Sequence, residues 1–176
     1  MFRDAYRRFL ESELVPYRDE WWETGIIPRE IFKKAGEQGF LAVWVDEEYG
    51  GLGLKDFRFE QIMMEEIARC QETGFMSPLH SRLIAPYLAD FGSEEQKHRY
   101  LPGVVSGDIL LMIAMSEPGA GSDLASMKTR AVDKGDHWLL NGSKTWISNG
   151  INGDLAIVAA KTDPNNERAI GLFLVE

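Results

Sequence analysis

The sequence predicts an α+β fold in which an all-helical part precedes a β-rich part. Before residue 107, apolar residues recur at three- and four-residue spacing, and after it they form short runs rich in β-branched residues. With 44% hydrophobic residues in 176, the chain can build a core without disulfides. We therefore expect an N-terminal α-helical domain over residues 1–107 and a partial β-domain over residues 108–176.

The helical periodicity is clearest in two segments. One apolar face consists of Phe59, Ile62, Met63, Ile67 and Cys70. The same spacing recurs over residues 79–91, which predicts a second amphipathic helix. Ser93, followed three residues later by Gln96, is typical of a capping box and predicts a helix that runs toward Val105.

The β-rich part contains five apolar runs that predict strands. They are residues 109–115, 127–132, 137–140, 155–160 and 170–175. The polar segment Asp133-Lys134-Gly135-Asp136 between the second and third runs predicts a hairpin turn. Because the chain stops within an apolar run, we expect the β-domain to be incomplete.

Charge and cysteine usage exclude several classes of function. A net charge of −9 argues against a nucleic-acid partner, which would require a basic surface. Cys70 is the single cysteine, and the three histidines are far apart, so neither a disulfide nor a Cys/His metal site is expected. No apolar run approaches the length of about 20 residues that a membrane span needs.

The segment Ala114 to Asp123 (AMSEPGAGSD) is the first candidate for chemistry. A predicted strand runs into a turn with two glycines and two hydroxyls, and glycine lets a backbone approach a ligand closely. The segment lacks the G-x-G-x-x-G spacing of a dinucleotide loop. The alternative is a tight surface turn with no ligand.

The segment Lys144 to Gly150 (KTWISNG) is the second candidate. If the segment is a strand, Trp146 and Ser148 point to the same face. An indole there can stack on a flat ligand while the hydroxyl bonds its edge. The alternative is that Trp146 belongs to the core and Ser148 caps a strand.

Four spaced motifs together resemble the acyl-CoA dehydrogenase family. They are DEEYGGLG (46–53), GSEEQKHRYLP (92–102), AMSEPGAGSDLAS (114–126) and LNGSKTWISNG (140–150). The resemblance covers essentially the whole chain and is closest to the long-chain and related bacterial members. It implies a helical N-terminal domain and part of an antiparallel, β-barrel-like middle domain, without the family's C-terminal helical domain.

The resemblance also implies an activity. Family members are flavoprotein oxidoreductases of fatty acid β-oxidation and lipid metabolism, which bind FAD and oxidise an acyl-CoA to the trans-2-enoyl-CoA. A carboxylate removes the α-proton, and a hydride passes to flavin N5. In the family that carboxylate comes from the C-terminal domain, so Glu117 and Asp123 are rejected as the base. No catalytic residue is assigned in this chain, which alone is expected to be inactive.

The matched motifs carry the family's cofactor contacts onto particular residues. The resemblance places Trp146 against the flavin ring on the face away from the substrate and Ser148 near flavin N5. It places Met115 and Ser116 at the pyrimidine edge of the flavin. It places Ser122 near the ribityl chain or the substrate's pantetheine, so Ser122 is both a cofactor and a substrate candidate.

Three further residues complete the implied flavin site. Ile113 lies on the strand before the first motif, Gly121 lies in its turn, and Ile147 lies between Trp146 and Ser148. We expect Gly121 to let the turn approach the cofactor, and the two isoleucines to belong to the same cofactor-binding surface.

The implied partners are an acyl-CoA substrate, an electron-transfer flavoprotein as acceptor and further copies of the chain in a homotetramer or dimer. The implied location is the cytoplasm of a bacterium or the mitochondrial matrix of a eukaryote. Three alternatives stay open: an acyl-CoA oxidase, a flavin monooxygenase of the same fold, and a truncated, non-catalytic binding or assembly chain.

Overall fold

The computed structural model describes residues 1–166 and 168–176 and divides into two compact units, Met1–Leu110 and Leu111–Glu176. Within residues 1–110, all of which the structure describes, every regular element is helical. All the strands lie in the second unit. The predicted order of helices followed by strands is confirmed.

Six α-helices form the first unit. They are α1 (Phe2–Glu13), α2 (Arg18–Thr24), α3 (Arg29–Glu37), α4 (Arg58–Cys70), α5 (Ala85–Phe91) and α6 (Glu94–Ser106). The apolar face predicted from Phe59 to Cys70 is α4, which buries Met63, Ile67 and Cys70. A π-helical turn, Leu79–Ile84, precedes α5. Pro86, at the start of α5, has no N–H to donate to the preceding turn.

Aromatic side chains make much of the first unit's core. Tyr6 and Phe9 of α1 lie within 4.9 Å and 5.5 Å of the Phe40 ring, measured between ring centroids. Phe32 of α3 lies 5.0 Å from Phe75. Tilted and edge-on pairs of this kind add to the free energy gained by burying the rings.

The predicted capping box at the start of α6 is present. Ser93 Oγ accepts a hydrogen bond from the Gln96 N–H at 3.2 Å, and Ser93 N donates to Gln96 Oε1 at 2.9 Å. The two bonds satisfy N–H groups that have no partner within the helix. The helix ends at Gly107, which adopts the left-handed conformation with φ of 80°.

The described part of the second unit contains five strands. They are β1 (Leu111–Ala114), β2 (Arg130–Asp133), β3 (Trp138–Asn141), β4 (Leu155–Lys161) and β5 (Ile170–Val175). The predicted hairpin is present, since β2 and β3 pair antiparallel with Asp133 opposite Trp138. β4 is buried along most of its length, as expected of a central strand.

The sheet is mixed and open, which corrects the expectation of an antiparallel, barrel-like arrangement. β4 pairs antiparallel with β5 but parallel with β1, with Leu111 opposite Leu155. β2 also meets β4 in parallel orientation, at Arg130 and Lys161. Long connections separate these parallel partners along the chain, whereas antiparallel neighbours such as β2 and β3 are joined by a short turn.

The α-helices of the described residues are the six named above. None of those helices combines the length and the apolar character needed to cross a bilayer.

The contact between α3 and α6 depends on Gly36, and this predicts the effect of a substitution. A Cβ at Gly36 would overlap the carbonyl group of Ser106 and would lie 2.8 Å from the Val105 oxygen. We expect Gly36→Ala to lower the free energy of unfolding by about 1–3 kcal/mol in urea titrations, because a backbone obstacle cannot rotate away. Helix propensity alone would raise it by about 1 kcal/mol.

The control for that experiment is Glu37→Ala, at the exposed neighbouring position of the same helix. It should change the unfolding free energy by less than about 0.5 kcal/mol. A Gly36→Ala protein as stable as its parent would contradict the close packing of α3 on α6.

Candidate functional site

The two motif segments meet at the end of β1. The Thr145 N–H donates to the Ser116 carbonyl oxygen at 3.0 Å. Lys144 Nζ donates to the Met115 carbonyl oxygen, also at 3.0 Å. A turn that follows β1 and a loop that follows β3 therefore form one continuous surface.

The first segment begins with a tight turn. Glu117 N donates to the Ala120 oxygen at 2.8 Å, and Ala120 N donates back to the Glu117 oxygen at 3.1 Å. Pro118 and Gly119 lie exposed at the tip of this turn. The surface-turn alternative therefore describes the tip correctly, although the Glu117 side chain points inward and is buried.

The Glu117 carboxylate receives three hydrogen bonds. Lys128 N donates to Oε2 at 2.6 Å, while Thr129 N and Lys144 Nζ each donate to Oε1 at 2.9 Å. Burial alone would raise the pKa of this carboxyl, but the hydrogen bonds from Thr129, Lys128 and Lys144 outweigh burial and lower the pKa to about 2. Both carboxylate oxygens accept hydrogen bonds, so Glu117 is held in its ionised form.

Gly142 lets the chain pass from β3 to the second segment. A Cβ at this position would overlap the Oγ1 and Cα atoms of Thr129. The close approach of Gly142 to Thr129 brings the following residues next to the turn after β1, where Lys144 reaches Glu117. Only glycine, which has no Cβ, fits this close to Thr129.

The second segment is a loop, which corrects the expectation that Trp146 and Ser148 share one face of a strand. Residues 142–150 lie in no strand, and Trp146 has φ of 57° and Asn149 has φ of 62°. Thr145 N is bonded to Ser116, and Gly150 N is bonded to the Ile147 oxygen at 2.9 Å, so this backbone closes into turns rather than a ladder. A tryptophan with positive φ is uncommon and strained.

The Trp146 side chain is 92% exposed. The alternative that Trp146 is a core residue is therefore wrong. Tryptophan is among the most buried residue types on average, and a large exposed ring is informative because it marks a surface for a ligand or partner.

Ser116, in the turn after β1, and Ser148, in the loop after β3, are both half-buried. The place where this turn and this loop meet is called the junction below. Neither hydroxyl has a hydrogen-bond partner among residues 1–166 and 168–176. Ser122 is exposed in the turn after β1. A half-buried hydroxyl without a protein partner is available to a ligand.

The remaining candidates occupy the same unit. Ile113 lies in β1 and is half-buried, as is Ile147 in the loop. Gly121 is exposed, and a Cβ built on it meets nothing within 4 Å. The turn at Gly121 therefore leaves open space in which a ligand could approach the backbone.

Sequence reasoning missed the residues that hold the two segments together. Lys144 received no role, and the 27-residue separation of Lys144 from Glu117 does not reveal that they meet. Asn149 was also missed, although its Nδ2 donates to the Leu111 oxygen at 3.2 Å and ties the loop to the start of β1. The one signal in the sequence was that the first motif segment contains an acidic residue and the second contains a basic residue.

Comparisons with known proteins agree with this architecture. The family model for the acyl-CoA dehydrogenase N-terminal domain matches residues 1–108, and the model for the middle domain of the same family matches residues 112–176. A mitochondrial long-chain specific acyl-CoA dehydrogenase from Rattus norvegicus is 41% identical over 179 residues, covering 100% of this chain and 41% of the relative.

Two solved structures show the same fold. An acyl-CoA dehydrogenase from Geobacillus kaustophilus superposes with a TM-score of 0.95 at 47% identity, covering 100% of this chain and 47% of that one. A glutaryl-CoA dehydrogenase from Mycobacterium smegmatis, in complex with FADH2, has a TM-score of 0.89 at 33% identity, covering 99% of this chain and 44% of that one. The chain thus spans less than half the length of these relatives.

The low pKa of Glu117 predicts a pH-dependent contribution to stability. The folded-state pKa of about 2 lies below the ordinary value of 4.5, so the stabilisation is complete above pH 4.5 and is lost as the pH falls toward 2. We expect the wild type to exceed Glu117→Gln in unfolding free energy by about 3 kcal/mol at pH 6, and by progressively less toward pH 2.

The measurement is urea denaturation of both proteins at several pH values. Glu95→Gln, at an exposed position of α6, is the control and should show a small, flat difference. A wild-type advantage over Glu117→Gln that does not shrink below pH 4 would contradict an ionised, bonded Glu117.

Proposed function

Because this chain belongs to the acyl-CoA dehydrogenase family, we propose that it contributes the flavin-binding surface of an FAD-dependent enzyme that oxidises acyl-CoA thioesters to trans-2-enoyl-CoA. The observation that carries the proposal is the Trp146 indole, 92% exposed on a loop that is bonded to the turn after β1. The activity, substrate and partners of the whole protein are part of this proposal.

The residues of the junction fit a flavin. An isoalloxazine is flat, largely apolar and polar at its edges, so it suits an exposed indole flanked by hydroxyls that lack protein partners. Ser116 and Ser148 supply those hydroxyls. The FADH2 bound by the related glutaryl-CoA dehydrogenase supports the same cofactor class.

In this proposal each residue has a positioning or electrostatic role. FAD, when bound, supplies the acceptor for the hydride that leaves the β-carbon. The Trp146 ring stacks on the flavin, and the Ser148 hydroxyl donates at the edge that carries N5. Because the Met115 carbonyl is taken by Lys144, Met115 faces the pyrimidine edge through its N–H. The Ser116 hydroxyl assists there by stabilising negative charge.

The other assigned residues shape the surface around these contacts. Ser122 and Gly121 present an open turn to the ribityl chain or the pantetheine. Ile113 and Ile147 exclude water beside the ring, which strengthens the polar contacts.

Glu117 does not act as the proton-abstracting base. A carboxylate with a pKa of about 2 that already accepts three hydrogen bonds is a weak proton acceptor at neutral pH. Asp123 lies in the exposed turn and is also left out of this role. As the family resemblance implies, we propose that the base comes from the family's C-terminal helical domain and not from these two acids.

Several expectations stay predictions. They are the electron-transfer flavoprotein as acceptor, the homotetramer or dimer, and the location in a bacterial cytoplasm or a mitochondrial matrix.

The first test is spectroscopic. We expect the full-length protein to be yellow, with a flavin absorption band that is bleached by a saturated acyl-CoA under anaerobic conditions, because the hydride then stays on the flavin. Free CoA is the control and should leave the band unchanged. A colourless protein that takes up no added FAD would refute the proposal.

The second test concerns Trp146. We expect Trp146→Ala in the full-length protein to raise the Kd for FAD by roughly tenfold to a hundredfold in equilibrium titrations, the range for loss of one aromatic stacking partner. Trp22→Ala, which removes another largely exposed indole from the helical unit, is the matched control and should leave the Kd unchanged. Equal FAD affinity in Trp146→Ala would show that the indole does not touch the cofactor.

A further inference from the structure

The buried ion pair between Glu117 and Lys144 lies behind the proposed cofactor surface. We propose that Lys144 is a positioning residue for the flavin site, which holds the Trp146 loop against the turn after β1 by bonding Glu117 and the Met115 carbonyl at once. The inference rests on the proposed function, because it concerns the placement of the proposed flavin contacts.

Both side-chain hydrogen bonds that Lys144 makes to described residues go to the turn after β1. Its Nζ donates to Met115 O at 3.0 Å and to Glu117 Oε1 at 2.9 Å, and both acceptors lie just after β1. The side chains of Lys144 and Glu117 are 10% and 6% exposed. A lysine this enclosed, two residues before Trp146 in the chain, tethers the start of the loop.

The loop between its tethers depends on them for its shape. Residues 144 and 145 are bonded to the turn, and Asn149 is bonded to β1, whereas Trp146 carries a strained positive φ between these points. Strained backbone persists only where the surrounding contacts over-determine it. Loss of the Lys144 tether therefore frees Trp146 to leave its orientation.

A neutral residue could not replace the ammonium at position 144. Without Lys144, the Glu117 charge would keep only its two backbone donors, and the Met115 carbonyl would lose the donor that Lys144 supplies. Removing one partner of a buried pair leaves an uncompensated charge, which the loop relieves by opening toward water. Glu117 also accepts hydrogen bonds from the backbone of Lys128 and Thr129, just before β2, and these bonds remain when Lys144 is removed. The loss of order is therefore expected in the loop, which Lys144 had joined to Glu117.

The test is a double-mutant cycle on FAD affinity in the full-length protein. We expect Lys144→Met, whose unbranched side chain is one atom shorter and has no donor, to raise the Kd for FAD by about tenfold or more. In a Trp146→Ala background, the same change should raise the Kd by less than about threefold, because the positioned indole is already gone. The emission maximum of Trp146, isolated by subtracting Trp146→Phe spectra, should shift in Lys144→Met without any ligand.

Lys134→Met is the matched control. Lys134 is exposed in the hairpin turn between β2 and β3 and is not one of the three donors to Glu117. Its Kd for FAD should stay within about twofold of the wild type, which is within the range of surface substitutions. Melting temperatures of all variants identify a loss that is merely structural.

The outcomes separate this inference from the proposed function. A wild type that binds no FAD refutes the proposed function and this inference together. If the wild type binds FAD, two results overturn the inference alone. One is a Lys144→Met variant that melts at a lower temperature but binds FAD equally well, and the other is a double-mutant cycle in which the two effects are additive. If Lys144→Met does not fold, Lys144→Gln takes its place in the same double-mutant cycle. Because glutamine keeps one donor group, we expect it to raise the Kd for FAD by about threefold.

Discussion

The organisation of the β unit depends on one carboxylate. Glu117 accepts hydrogen bonds from the backbone at the start of β2 and from the Lys144 ammonium, and its own backbone closes the turn after β1. Three segments that are distant in sequence thus converge on a group with 6% of its side chain exposed. Burying a charge is costly unless the charge is paired and hydrogen-bonded, and here the three donors to Glu117 fix the relative position of all three segments.

The central strand β4 supplies the frame on which this junction is built. β1 and β2 both meet β4 in parallel orientation, which aligns the end of β1 with the approach to β2. β5 pairs with β4 over residues 156–161 and completes its hydrogen bonding. A hydroxyl or an indole at the strand ends is therefore presented by a rigid element, while the turn and loop that carry it supply the special backbone conformations.

The sequence predicted the individual helices and strands far better than the contacts that join distant segments of the β unit. Local signals were sufficient for α4, for the Ser93 capping box and for the hairpin between β2 and β3, because each depends on residues a few positions apart. The parallel pairing of β1 with β4 joins residues over 40 positions apart, and no local pattern encodes it. Trp146 was placed on a strand because period-2 reasoning assumes extended backbone, and its positive φ follows from contacts made by its neighbours. The motifs identified the candidate residues, but not the lysine that holds them together.

The exposure of Trp146 also bears on how the chain folds and persists in the cell. Trp146 and Ile151 are 92% and 78% exposed, so this stretch of chain presents two large apolar side chains at its surface. A newly folded chain would carry these side chains into a crowded cell, where such surfaces recruit chaperones or self-associate. Whatever covers these side chains also draws the folding equilibrium toward the native state by mass action. The stability of the native fold would then depend on the amount of the covering group as well as on the packing of the chain itself.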